Sequence, residues 1–187
     1  MDSTLQNHFL IAMPSLADAF FHRSVIYICE HDENGAMGLI INRPTKVMLK
    51  ELLGHLRISN EAKTLEDTPV RFGGPVQKGQ GMVIHDQLES NWKSSLPLSN
   101  DIVLTTSTDI LEVIGTDQGP RNAFVTLGYA GWTAGQLEEE LMENSWLTVP
   151  ASHELLFSTP AEQQWVEAAK ILGVNIHLIA NASENKQ

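Results

Sequence analysis

The chain has 187 residues and a single cysteine, Cys29, so no internal disulfide can form. That excludes the small secreted designs that depend on such staples. Positive charge is also scarce: twelve Lys and Arg stand against twenty-three Asp and Glu, for a formal net charge of −11. From Asp109 to Gln187 only Arg121, Lys170 and Lys186 oppose eleven acidic residues. Such a surface repels phosphate backbones, which argues against direct nucleic-acid binding. One stretch is locally basic, with Arg43, Lys46, Lys50 and Arg57 against Glu51 alone. Long apolar runs are missing too. Leu39-Ile40-Ile41 is typical of the densest segments, far below the roughly 20 residues that cross a bilayer. Met1-Asp2-Ser3-Thr4 has no basic, apolar signal-peptide character. The expectation is a cytoplasmic protein with no membrane association.

Apolar content of 42% is enough for one sizeable core. A single domain over residues 1–180 is expected, followed by a short, polar and disordered tail at 181–187. Strand composition marks Phe9–Met13, Ser24–Glu30, Met37–Asn42, Val70–Phe72, Gly81–His85, Ile102–Thr105, Ala123–Leu127 and Val174–Leu178. Asn34-Gly35 predicts a hairpin between the second and third. Both of these strands are apolar at consecutive positions, as expected for burial on two faces. Leu49, Leu52, Leu53 and Leu56 recur at helical spacing. Ser107-Thr108-Asp109, Thr133-Ala134-Gly135-Gln136 and Thr159-Pro160-Ala161-Glu162 each read as a helix start. The last helix carries Trp165, Ala168, Ala169 and Leu172 on one stripe and should stop at Gly173. The order is mixed, neither strict βαβ alternation nor all-β.

Motifs for known chemistry are incomplete. Seven histidines contain no His-x-x-x-His pair, and Cys29 with His31 on one strand face gives only half of a zinc site. No metal and no cofactor is expected. There is no Gly-x-Ser-x-Gly elbow, and the hydroxyls around Ser107 read more simply as helix caps. The glycine-rich run Gly128–Gly135 follows a strand and opens a helix, a setting where free N–H groups can hold an anion. Its spacing matches neither a dinucleotide-binding nor a P-loop pattern, so a tight turn under Tyr129 and Trp132 is the simpler reading. Lys46, Lys50 and Arg57 fall on one helical stripe, and Glu138, Glu139, Glu140 and Glu143 suggest a solvent-facing acidic helix.

Several strings taken in order resemble the YqgE/AlgH family. They run Leu10-Ile11-Ala12-Met13-Pro14, then Ser24 to His31, then Gly35 to Pro44. Gly73-Gly74-Pro75-Val76, Leu104 to Asp109, Leu127 to Trp132, Gly135-Gln136-Leu137-Glu138 and Asn144-Ser145-Trp146 complete the series. The resemblance implies a bacterial protein of mixed α/β (α+β) class, whose bifurcated, strongly bent β-sheet forms a pseudo-barrel flanked by helices. Some members of that family are labelled transcriptional regulators. The family has no established biochemical activity, so the resemblance carries over no catalytic residues. Two departures stand out: Thr133 replaces a frequent glycine, and Lys78-Gly79-Gln80-Gly81 replaces a turn that usually holds an arginine.

The expected function is therefore a non-enzymatic regulatory or adaptor protein, acting through a protein partner or a small ligand. The alternative is a ligand-binding or hydrolytic domain. Its cleft would join Asn42, Arg43, Gly74, His85, Ser107, Tyr129 and Trp132, polar groups and glycine turns at predicted strand ends.

Overall fold

The computed structural model describes residues 4–86 and 91–179. The tail expected to be disordered, 181–187, lies outside the described residues. Ten strands form one sheet: β1 (His8–Ala12), β2 (Val25–Asp32), β3 (Gly35–Ile40), β4 (Pro44–Met48), β5 (Pro69–Phe72), β6 (Val76–His85), β7 (Ser95–Pro97), β8 (Val103–Thr105), β9 (Ala123–Thr133) and β10 (Trp146–Pro150). Among the described residues helices α1 (Leu49–His55), α2 (Gln136–Met142), α3 (His153–Phe157) and α4 (Ala161–Ile171) accompany them, with a further helical turn at 176–179. The main path runs β10-β1-β2-β3-β9-β6-β8-β7, with β5 and then β4 branching from β9. All pairings are antiparallel except β5 with β9.

The branch lies within β9. Ala130 to Thr133 pair with β3, whereas Thr126 and Leu127 pair with β5. The sheet therefore curls into a bifurcated half-barrel. Its inner face is packed by Phe9, Tyr27, Leu39, Ile84 and Phe124 against Leu155 and Leu156 of α3 and Trp165 of α4. Two smaller clusters cover the outer face. Leu10, Ile26, Ile28 and Trp132 meet Leu137 of α2 in one, and Val70, Val83 and Val125 meet Leu49 and Leu53 of α1 in the other. Burying each large aliphatic side chain contributes about 1.5–3 kcal/mol, so β2, inaccessible from Val25 to Cys29 and loaded on both faces, is the spine of the core.

Local chemistry explains where the elements begin and end, and where they depart from expectation. The hairpin loop between β2 and β3 is Glu33-Asn34, one residue earlier than the Asn-Gly pair suggests, because Asp32 pairs directly with Gly35. Cys29 is the extra residue of a bulge between the Ile28–Gly38 and Glu30–Met37 pairs. A bulge resets strand alternation. Cys29 therefore joins the inner core while His31 reaches Glu138 on the outer side, so the two do not share a face. Gly128 to Thr133 are part of β9, not a loop opening a helix: Tyr129 pairs with β6 and Ala130 to Thr133 with β3, while Gly128 takes a left-handed φ of 77° between the Leu127 and Tyr129 pairs. At the start of α2, Gln136 Oε1 accepts the Thr133 N–H at 3.0 Å, half of the expected capping box, while Gly135 occupies the cap position. Helix α4 starts at Ala161 with Pro160 as its cap residue, one position later than Thr159 predicts. It stops where expected. Gly173, at φ 74°, donates to the Lys170 carbonyl and Val174 to that of Ala169, the paired bonds of a Schellman stop.

Val174–Leu178 is not a strand. Residues 176–179 are helical, and the Asn175 side chain accepts the His177 N–H at 3.2 Å. The Gly173 reversal returns the chain onto α4, where Ile176 is fully buried, and this packing overrides β-branched composition. Lys46 lies in β4, so the basic stripe is not on one helix, and Lys50 pairs with Glu66 at 2.5 Å. Strands β4, β7 and β10 and helix α3 carry no strong sequence pattern of their own.

Candidate functional site

The split in the sheet is held by residues that stand out in the sequence. The Gly73 N–H donates to the Leu127 carbonyl at 2.8 Å, and its own carbonyl accepts the Ile40 N–H at 2.8 Å. The Gly73-Gly74 turn thus bridges β3 and β9 where they part. Gly74, at φ 153°, lies so close to β9 that a Cβ would sit 2.1 Å from the Tyr129 carbonyl carbon. No side chain fits there.

Asn42 closes the neighbouring gap. Its Oδ1 accepts the Val25 N–H at 3.0 Å and its Nδ2 donates to the Arg23 carbonyl at 3.0 Å, so one amide side chain takes the place of a ladder residue. Arg43 donates from Nη2 to the His22 carbonyl. Partial burial lowers the affinity of Arg43 for its proton, with Asp18 acting in the opposite sense. Arg71, which the sequence reading did not single out, is the most confined arginine at this branch. Its guanidinium stands 4.1 Å over the Phe124 ring and donates from Nη1 to the Ile41 carbonyl at 2.7 Å. Burial lowers its pKa to about 10.

The other candidates lie elsewhere. His85 is fully buried, and burial pulls its pKa down to about 4, so its ring is neutral at pH 7. Its Nε2 lies 2.6 Å from Thr105 Oγ1, which is 2.7 Å from Ser95 Oγ. Ser107 lines an opening of about 240 Å³ beside Leu52 and Leu56, on the outer face. Its hydroxyl donates to Asp109 Oδ1 at 2.5 Å and accepts the Ser94 N–H at 3.1 Å. Ser107 occupies the cap position of a short 3-10 turn, Thr108–Glu112, yet makes no capping bond. Tyr129 packs on the inner face and Trp132 on the outer, as strand alternation requires of positions three apart. The seven candidates thus do not line one cleft. Asn42, Arg43, Gly74 and the Tyr129 backbone gather at the branch, whereas Ser107 and Trp132 face away from the inner side.

An opening lies at the open end of the inner face. A groove of about 540 Å³ runs between Met37, Met82, Leu104 and Tyr129 on one side and the edge strand β7, with Leu96, on the other. Glu30, Gln77, Gln80 and Thr106 form its polar rim. Sequence reasoning missed this groove because its residues come from six strands and no local spacing brings them together. The one available signal was the irregular run Gln77 to Gln80, where β6 loses register with β9 between Val76 and Gly81.

The sequence profile of the AlgH-like family matches residues 9–177. This chain belongs to that family. A UPF0301 protein of Shewanella woodyi is 50% identical over 183 residues, covering 97% of this chain and 98% of its own. UPF0301 protein YqgE of Escherichia coli is 48% identical, covering 92% and 94%. The solution structure of the AlgH protein from Pseudomonas aeruginosa superposes with a TM-score of 0.79 at 43% identity, over 96% of each chain. A crystal structure of a Corynebacterium diphtheriae protein gives 0.74 at 20% identity, which supports the fold alone. The mixed α/β class and curled, bifurcated sheet implied by the family strings are therefore the fold of this protein.

Among the described residues no three His, Cys, Asp or Glu side chains gather as metal ligands, and no helix is long and apolar enough to cross a membrane.

Proposed function

We propose that this member of the AlgH-like family is a non-enzymatic regulatory or adaptor protein, and that it works by holding a segment of a partner polypeptide in the inner-face groove. The groove itself carries the reading. Two methionines, two leucines and a tyrosine form a deformable apolar floor, with amide and hydroxyl groups at the rim. Among the described residues strand β7 pairs only with β8, so its other edge offers backbone groups to an extended peptide. The proposed location is the cytoplasm, in keeping with a single thiol buried in the core. Direct DNA contact forms no part of the proposal, since a net charge of −11 opposes it.

The test uses protein labelled with ¹³C at the methionine methyls. Titration with the macromolecular fraction of its own cytosol should shift Met37 and Met82 and leave the exposed Met142 unmoved. Leu96→Arg should abolish the shift. If only the small-molecule fraction moves these methyls, the groove holds a small ligand. If neither fraction does, the groove reading fails.

A hydrolytic reading has one observation in its favour, the Ser95–Thr105–His85 chain of contacts from an exposed hydroxyl to a neutral imidazole. It requires Ser95→Ala to abolish an esterase activity that the wild type displays.

A further inference from the structure

We propose that the Arg71 guanidinium anchors a binding site for a small oxyanion, the carboxylate or phosphate end of a ligand, at the branch of the sheet. The argument begins with charge. This is an acidic protein, yet among the described residues its four ion pairs use His31, Lys50, His153 and Lys170, and none uses an arginine. An exposed arginine needs no partner, but Arg71 is half-buried on the inner face, over Phe124. Among the described residues one of its five N–H groups has a protein acceptor, the Ile41 carbonyl. A guanidinium partly withdrawn from water without a counter-charge is unfavourable, and an anion would complete it. Its lowered pKa has the same cause, burial alone.

A second, independent observation lies on the adjoining strand. Arg71 and Thr126 are register partners across β5 and β9, so their side chains share a face. The Thr126 hydroxyl is fully buried and has no hydrogen-bond partner among the described residues. Facing it is Gly73, whose missing Cβ would stand 3.1 Å from Thr126 Oγ1. An orphan hydroxyl donor and an under-satisfied fork therefore share one face of neighbouring strands at the branch of the sheet. A planar, bidentate oxyanion suits the guanidinium fork, and the threonine hydroxyl supplies a third contact. The site is independent of what the groove holds.

The experiment is thermal unfolding of the whole chain in inorganic phosphate, acetate or chloride at matched ionic strength. Phosphate or acetate should raise the midpoint saturably, by roughly 5–10 °C at a hundredfold excess over the dissociation constant, and whichever acts identifies the oxyanion class. Arg71→Met should lose the response, while Arg57→Met, at an exposed arginine, keeps it. Thr126→Val should weaken binding severalfold without lowering the midpoint in chloride. If Arg71→Met does not fold, Arg71→Lys keeps the charge but not the fork and should bind about tenfold more weakly. A midpoint no higher in either oxyanion than in chloride would overturn the proposal. So would an undiminished response in Arg71→Met, or in Arg71→Lys if that is the variant that folds.

Discussion

The indole of Trp132 meets that of Trp146 edge to face, with ring centroids 6.4 Å apart and planes inclined by 76°. Both rings donate to the same oxygen of Glu140, each at 3.0 Å. Helix α2 is thereby pinned to β9 and β10 by a single carboxylate. A glutamate that the sequence assigns to a solvated acidic face is in fact an internal tie. Replacing it with leucine leaves two nearly buried indole N–H groups without an acceptor, so Glu140→Leu should lose about 2–4 kcal/mol. Glu140→Gln keeps an acceptor and should lose about 1 kcal/mol. Urea unfolding followed by tryptophan fluorescence distinguishes the two, and equal stability in all three proteins would contradict the tie.

Gly74 and Gly54 should respond in opposite ways to alanine. At Gly74 a Cβ would collide with the Tyr129 backbone at 2.1 Å, so Gly74→Ala should be destabilised by more than about 3 kcal/mol or fail to accumulate. Gly54 lies within α1, and a Cβ there meets nothing within 4 Å. Gly54→Ala should therefore gain up to about 1 kcal/mol. Calorimetry on the pair checks both signs.

His85 makes stability depend on acid. Its folded pKa is lowered from 6.5 to about 4, so between those values the unfolded chain binds the proton and the folded chain does not. Stability from this group is complete above pH 6.5 and is lost as pH falls toward 4, by roughly 2–3 kcal/mol in all. The denaturation midpoint should fall across that window in the wild type, and the slope should flatten in His85→Gln. An unchanged slope in the variant would assign the acid sensitivity to other groups.

His31 ties the N-terminal segment to α2. Its Nδ1 accepts the Leu5 N–H at 2.9 Å, and its Nε2 donates to Glu138 Oε1 at 2.6 Å. The hydrogen bond from His31 holds the Glu138 carboxyl below its ordinary range. His31→Phe removes both contacts. The Leu5 amide should then exchange faster by at least about tenfold while core amides of β2 keep their protection. Loss of protection throughout β2 would show that His31 supports the whole sheet instead.

By itself the sequence determined the fold class, the family and most of the buried strands. Continuous apolar runs such as Val25 to Cys29 and the Leu49–Leu53 spacing record burial in the chain itself, since alternation and helical period are local properties. The stop at Gly173 is equally local. Tertiary structure decided what depends on partners far apart in sequence. Gly128 to Thr133 become strand because β3 and β6 supply their hydrogen bonds, and Val174 to Leu178 lose strand because α4 accepts Ile176. It also decided the site. One bulged residue at Cys29 reversed the faces of everything beyond it in β2, and a three-residue offset put Tyr129 and Trp132 on opposite sides. Arg71 and Thr126, 55 positions apart, become neighbours only through a parallel pairing at the branch, and no local pattern encodes such a register.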